Sequence, residues 1–395
     1  MRMLLVAQTA PSDTSFGAAQ RTALMYRALR EHGSVDVLIV NEGEAFAARD
    51  GERGAEVMAR LTVKTAPWHA RYRADLQTGQ WARARLASRR YDLVVARELA
   101  TAGRFGAVFD VPLIADADDA YYRYAPSGPS ASALGISLVK TRARMFATRR
   151  ALRRFTHVWF ASARDQRRFA GTPSSVLPNV APGVCELPPA PRDTPTILFV
   201  GALWYRPNID AVDWFIANCW SSVRRAVANV RLRIVGAGPL AQRERWSRIP
   251  GVECAGFVAD LATEYQAAHF TIAPVRFGGG TQIKTLESLA YGRAAIVSGF
   301  VHAGYSGAFT DGSLIVADSA DEMTAACLQL IGSPAEAARL ANAGRAVVQE
   351  CFGWPAFRSA VAEGLLRARE RPPAGPAGNH VTGSKGSASL ARGGR

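Results

Sequence analysis

Short apolar runs alternate with helix-period segments along most of the chain, and they fall into two sets. In the first half the runs are Leu4–Ala7, Val35–Val40, Leu61–Thr65, Leu93–Ala96, Leu113–Ala115 and Val158–Ala161. In the second they are Ile197–Val200, Leu232–Val235, Val252–Phe257, Phe270–Val275, Ala295–Val297 and Leu314–Val316. Runs this short and this continuously apolar read as strands buried on both faces. Strands separated by helices imply parallel sheets covered by helices on each side. The fold class is therefore α/β, with two Rossmann-like parallel-sheet domains. Between the sets, Ser175–Gly183 and then Pro188-Pro189-Ala190-Pro191 are dense in proline and read as a linker, about 175–193. The expected division is a first domain over 1–190 and a second over 191–371. From Pro372 onward Pro, Gly, Ser and Ala dominate with no acid, so residues 372–395 are expected to form a disordered tail.

A chain of 395 residues is too long for one ordinary domain. No apolar run reaches the ~20 residues that span a bilayer. Met1–Ala7 reads as a strand rather than a signal peptide, because its apolar run ends at Gln8. Cys185, Cys219, Cys254, Cys327 and Cys351 are scattered without CxxC spacing, which suits reduced thiols in a cytosol better than a disulfide frame or zinc site. The net charge of +15 raises nucleic-acid binding, but no motif for it appears. The charge instead has a focus. Lys140, Arg142, Arg144, Arg149, Arg150, Arg153 and Arg154 fall within fifteen residues that hold no acid, interleaved with Leu138, Val139, Met145, Phe146 and Leu152. A basic amphipathic helix over 138–154 suits an anionic membrane surface. The plainer reading is a solvated helix in an Arg-rich protein.

The chemistry concentrates in Pro274–Gly292. A buried strand ends in Gly278-Gly279-Gly280, and a helix follows in which Ile283, Leu286 and Ala290 recur on a core-facing stripe. Thr281 is placed as its N-cap. Lys284 and Glu287 share a polar face. Glycines admit backbone amides close to a ligand, and a helix N-terminus carries partial positive charge. Gly279, Gly280, Thr281 and Ile283 thus form a cradle for a diphosphate. Lys284 adds a full charge, and Glu287 an acceptor for two ribose hydroxyls.

This segment resembles the donor-binding signature of GT-B glycosyltransferases of the GT4 type, which transfer sugars from nucleotide-sugars with retention of anomeric configuration. Glu287 matches the second Glu of the Glu-x7-Glu motif, while Gly279 stands in the place of the first. The resemblance implies two domains facing across a cleft, with a nucleotide-diphosphate sugar as donor, a glycan or lipid-linked acceptor, and no metal or other cofactor. It also assigns roles elsewhere. Gly201 ends the strand that opens the second domain, and Arg206 is the cation of its loop, so Lys284, Arg206 and Glu287 become the catalytic set. Ile234-Val235-Gly236-Ala237-Gly238-Pro239 looks like the family's strand end near the nucleotide, and backbone groups of Phe257 and Val258 would read the base. Gly17 keeps one glycine of a pair that relatives place near the donor phosphate, and donor binding is expected to draw its loop toward the Thr281 helix. Phe352-Gly353-Trp354 and the helix after it resemble a C-terminal helix that crosses back to the first domain.

Asp116, Asp118 and Asp119 end a strand, where parallel sheets bind ligands. They suit acceptor hydroxyls, at Asp118 and Asp119, better than a metal whose remaining ligands are not evident. A helix N-cap is the alternative. The histidines lack metal spacing, and His157 and His269 read as structural. The resulting expectation is a retaining glycosyltransferase of cell-surface or exopolysaccharide synthesis, cytoplasmic or peripheral on the inner membrane face. A GT-B nucleotide-sugar epimerase and a noncatalytic GT-B membrane scaffold are the alternatives.

Overall fold

The computed structural model describes residues 1–13, 17–50, 57–65, 76–86, 89–99, 110–118, 120, 122–123, 131–183, 194–305, 307–310 and 312–371. Asp119, much of the linker with its boundary near residue 190, Cys185 and the tail from Pro372 lie outside the described residues.

Strands β1 (Arg2–Ala7), β2 (Ser34–Gly43), β3 (Ala47–Asp50), β4 (Val57–Lys64), β5 (Leu93–Arg97), β6 (Leu113–Ala117), β7 (Tyr122–Arg123), β8 (His157–Phe160) and β9 (Ser174–Val176) come from the first half. All but β7 form an eight-stranded sheet in the order β3-β4-β2-β1-β5-β6-β8-β9. It is parallel except for the β3–β4 edge pair. The second half contributes β10 (Thr196–Val200), β11 (Arg231–Val235), β12 (Val252–Gly256), β13 (Phe270–Ala273), β14 (Gly278–Gly279), β15 (Ala294–Val297) and β16 (Ile315–Val316). Its six-stranded sheet, β12-β11-β10-β13-β15-β16, is parallel throughout. Every strand expected from an apolar run is present, within a few residues of its expected ends.

In each sheet the chain reverses its winding beside the first strand, between β1 and β5 and between β10 and β13. Such switch points open a crevice at the strand carboxyl ends, where ligands bind in doubly wound sheets. Around the two crevices lie α1 (Gly17–Arg30), α2 (Ala131–Leu152), α3 (Ala163–Arg168), α4 (Arg206–Phe215), α5 (Ile283–Ala290), α6 (Pro334–Cys351) and α7 (Trp354–Arg369).

Separate cores hold the two sheets. One runs from Ala181 to Phe352. The other joins Met3, Leu5, Leu93, Val95 and Trp159 to Phe357, Val361, Leu365 and Ala368. Helix α7 therefore completes the first core although it follows the second domain in sequence. Deleting one of its buried side chains, such as Leu365→Ala, costs about 2–5 kcal/mol.

The domains also touch at the cleft. Tyr122–Arg123 and Gly278–Gly279 pair antiparallel, a two-residue ladder with one strand from each half. Arg164 of α3 donates to Phe300 O at 3.2 Å and Gly280 O at 3.5 Å. A Cβ on Gly17 would lie 2.9 Å from Ile283 Cδ1, so the α1 N-terminus already abuts α5.

Candidate donor site in the interdomain cleft

Helix α5 follows the glycines as expected, with Leu286, Leu289 and Ala290 buried. Its cap differs from expectation. Gln282 occupies the N-cap and makes no side-chain cap bond. Thr281 stands one residue outside, and its Oγ1 accepts a hydrogen bond from Asn179 Nδ2 of the linker. A partner from another part of the chain has taken the hydroxyl that would have capped the helix.

Lys284 is held from three sides. Its Nζ donates to Asn208 Oδ1 at 2.6 Å and stands 4.5 Å from the Phe199 ring centroid. It also lies directly beneath Gly201, where a Cβ would come within 2.9 Å of the ammonium. Gly201 is thus required by the close approach. Asn208 cannot turn away, because its Nδ2 donates to Ala202 O at 2.9 Å. Burial lowers the Lys284 pKa to about 7, against the pull of Glu287. Among the described residues no carboxylate is in salt-bridge contact with it. The role of Asn208 in positioning Lys284 appears in the geometry alone.

Glu287 Oε2 accepts from the Tyr265 hydroxyl at 2.9 Å. Tyr265 in turn stacks on Tyr291, their ring centroids 5.0 Å apart. Burial raises the Glu287 pKa, with Tyr265 and Lys284 opposing. Tyr265 therefore fixes one carboxylate oxygen. Glu287 lines an interdomain cavity of about 940 Å³ walled by Leu24 and Arg27 of α1, Ala259 and Leu261 after β12, and Val348 of α6. Gly236 and the exposed Phe257, with Val258, stand at the carboxyl ends of β11 and β12. Arg206, the other expected cation, is exposed at the first position of α4. Its neighbour Tyr205 accepts at its hydroxyl from Gly279 N at 3.4 Å and so braces the glycine loop.

The acidic cluster of the first domain is not a free ligand set. Asp116 is fully buried and accepts from Arg21 Nε at 2.8 Å, Arg21 Nη2 at 2.7 Å and Arg97 Nη1 at 3.1 Å. Burial alone would raise its pKa, but the two guanidiniums more than reverse this and hold it low. Asp118 pairs with Arg97 at 2.9 Å and keeps 22% of its side chain exposed. It remains within reach of the cleft; Asp119 lies outside the described residues. No group of His, Cys, Asp or Glu suited to a metal occurs among the described residues. Three of the histidines make structural contacts. His157 meets Ser175 at 2.9 Å, His269 Nδ1 accepts from Thr196 N, and His302 meets Phe309 O.

Residues 194–333 match the family model described as "Glycosyl transferases group 1". The match spans about a third of the chain and lies in the second domain. The whole GT-B architecture recurs in solved structures at low identity. Sucrose-phosphate synthase from Thermosynechococcus elongatus aligns at 16% identity and TM-score 0.67, over 93% of this chain and 98% of its own. Trehalose 6-phosphate synthase from Burkholderia multivorans aligns at 10% identity and TM-score 0.63, over 92% and 96%. HepE from Anabaena, in complex with UDP-glucose, aligns at 15% identity and TM-score 0.62, over 93% and 99%. Comparison with curated proteins gives no match.

Proposed function

We propose that the protein is a retaining glycosyltransferase, of the GT4 type, that moves a sugar from a nucleotide-diphosphate sugar to a glycan or lipid-linked acceptor in cell-surface or exopolysaccharide synthesis. The observation that carries this is Lys284. Its ammonium sits at the switch point of the second domain, under Gly201, held by a neutral amide and an aromatic face. A partly buried cation so held is matched by an arriving anion. Displacement of a nucleoside diphosphate at an anomeric carbon leaves a dianion, and positive charge at that dianion lowers the barrier. A preorganised donor of this kind contributes about 3–4 kcal/mol. Lys284 and the amides of the Gly280–Ile283 turn would face the diphosphate, with Arg206 reaching from its loop. Glu287, one oxygen held by Tyr265, offers the other to ribose hydroxyls. In a retaining transfer the departing phosphate itself assists deprotonation of the incoming hydroxyl, so no carboxylate base is needed from the first domain. The burial of Asp116 in ion pairs accords with that, and leaves Asp118 as an acceptor contact.

A thermal-shift panel of UDP-, GDP- and ADP-sugars tests the donor. A ligand at a hundred times its Kd stabilises by about 2.7 kcal/mol. Silence from all three would sink the donor site and favour the scaffold alternative. Turnover of the donor with no acceptor present would favour the epimerase.

We further propose a peripheral position on an anionic membrane, at the inner face. No helix among the described residues is long and apolar enough to cross one. Helix α2 inverts the usual pattern: Ser137, Thr141 and Thr148 face inward, while Ile136, Val139 and Phe146 are 55%, 66% and 71% exposed. Met145 and Leu152, expected on the apolar face toward the membrane, lie on the inward side. The exposed stripe 136-139-143-146 has i,i+3/i+4 spacing and is flanked by Lys140, Arg142, Arg149, Arg150 and Arg153. Each basic residue near an anionic surface contributes about 1 kcal/mol. Charge reversal of Arg149, Arg150, Arg153 and Arg154 is expected to release the protein from anionic vesicles; unchanged flotation would overturn this reading.

A further inference from the structure

We infer that Asn179 in the linker is a positioning residue for the donor site: it turns the Thr281 hydroxyl so that its proton is presented to the donor's diphosphate. The argument rests on the donor reading above and on hydrogen-bond direction.

Asn179 is buried at the seam between the domains. Its Oδ1 accepts from Arg21 Nη1 at 2.8 Å, and its Nδ2 donates to Thr281 Oγ1. The two ends of a side-chain amide are ordinarily hard to tell apart, but here chemistry assigns them. A guanidinium has donors and no acceptor, so the atom facing Arg21 must be the amide oxygen. The atom facing Thr281 must then be the NH2. Arg21 itself does not move, since Asp116 grips it twice and Leu177 O and Pro178 O accept from it at 2.9 and 3.1 Å.

With Asn179 donating, Thr281 Oγ1 is an acceptor, and its own O–H is left to donate elsewhere. Among the described residues no protein acceptor for that proton is recorded. Thr281 sits between Gly280 and the α5 N-cap, in the turn that also carries Lys284 one residue beyond Ile283. A phosphoryl oxygen settling on that turn is the acceptor the geometry leaves open. The result is a directed chain, from a buried guanidinium through the amide and the hydroxyl to an anion. Each bond in such a chain polarises the next. It also crosses the domain boundary, so the first domain helps set the chemistry of a site built on the second.

The test uses the full chain and calorimetric titration with UDP, GDP and ADP. Asn179→Asp is isosteric and keeps its contact with Arg21, but its second oxygen can only accept, so Thr281 must now donate inward. Hydrogen bonds to charged groups are strong enough that losing one costs about ten- to a hundredfold in affinity. The expected result is such a loss in Asn179→Asp for whichever nucleotide binds the unaltered protein, with the melting temperature not lowered. Thr281→Val should lose as much, Thr281→Ser should retain affinity, and the Asn179→Asp/Thr281→Val pair should be no worse than either alone. If Asn179→Asp does not fold, Thr281→Val, which leaves the Arg21–Asn179 contact in place, decides. Native affinity in Asn179→Asp or in Thr281→Val overturns the inference while leaving the donor site standing. Failure of the unaltered protein to bind any of the three overturns the donor reading, and this inference with it.

Discussion

Each domain brings a charged cluster to the cleft, and the two are built on opposite plans. In the first, Arg21, Arg97, Asp116 and Asp118 neutralise one another within about 3 Å, two of their pairs fully buried. In the second, Lys284 is offered an amide oxygen and a ring face, and Glu287 a tyrosine hydroxyl. The buried part of that cluster, Asp116 between Arg21 and Arg97, is already satisfied and loses heavily when one member is removed, while Asp118 keeps an exposed edge. A cation held by neutral partners is destabilised by its setting and gains from an arriving anion. The difference separates charges that hold a fold together from charges that, on the proposed function, wait for a substrate, although both read from the sequence as polar residues at a strand end.

The comparison makes its largest prediction in the first domain. Asp116→Asn leaves two buried guanidiniums facing a neutral amide, and breaking such a pair costs about 3–5 kcal/mol of stability. Denaturant unfolding would measure it, and a loss under 1 kcal/mol would put the cluster in the wrong class. Lys284→Met should do the reverse. Turnover and UDP affinity fall by the equivalent of about 3–4 kcal/mol, whereas the melting temperature holds or rises. A variant that unfolded instead would make Lys284 structural.

Next in size is the pH dependence. With the Lys284 pKa near 7, the proposed diphosphate site is charged below that pH and must take up a proton to bind an anion above it. UDP affinity should be flat below pH 7 and fall by up to about tenfold per unit above it, a trend absent in Lys284→Met. The same group makes stability rise with pH from about 7 to 10.5, because the unfolded chain retains a proton that the folded state has released. Glu287→Gln is the smallest effect. Its bond to Tyr265 survives in altered form, so about 1 kcal/mol of UDP affinity should be lost with that of inorganic pyrophosphate unchanged. Equal losses for both would mean that Glu287 acts on the phosphates through Lys284.

The fold was legible because buried parallel strands are apolar along their whole length. The strands that escaped lack that signal. Gly278–Gly279 has no side chains, Ser174–Val176 is mostly polar, and Ala47–Asp50 is an exposed edge. Lys284 and Glu287 were legible because a glycine run before an amphipathic helix has a local chemical meaning. Partners distant in sequence were not. Asp116 reads as a cleft ligand until Arg21 and Arg97 are seen to enclose it, and Thr281 reads as a cap until Asn179 takes its hydroxyl. Helix α2 misleads differently. Its inward face mixes Ser137, Thr141 and Thr148 with Met145 and Leu152 while Ile136, Val139 and Phe146 are exposed, so hydropathy does not tell the two sides apart.

The ladder between Tyr122–Arg123 and Gly278–Gly279 is made by main chain alone. On the second-domain side the pairing depends on glycine: Gly278 has φ +117°, and a Cβ there would meet the Tyr205 hydroxyl at 2.9 Å and Pro207 Cγ at 3.0 Å. Joining the first half of one such protein to the second half of another is accordingly a question of geometry. What a chimera has to reproduce at residues 122–123 is a path of the chain that can pair with Gly278–Gly279.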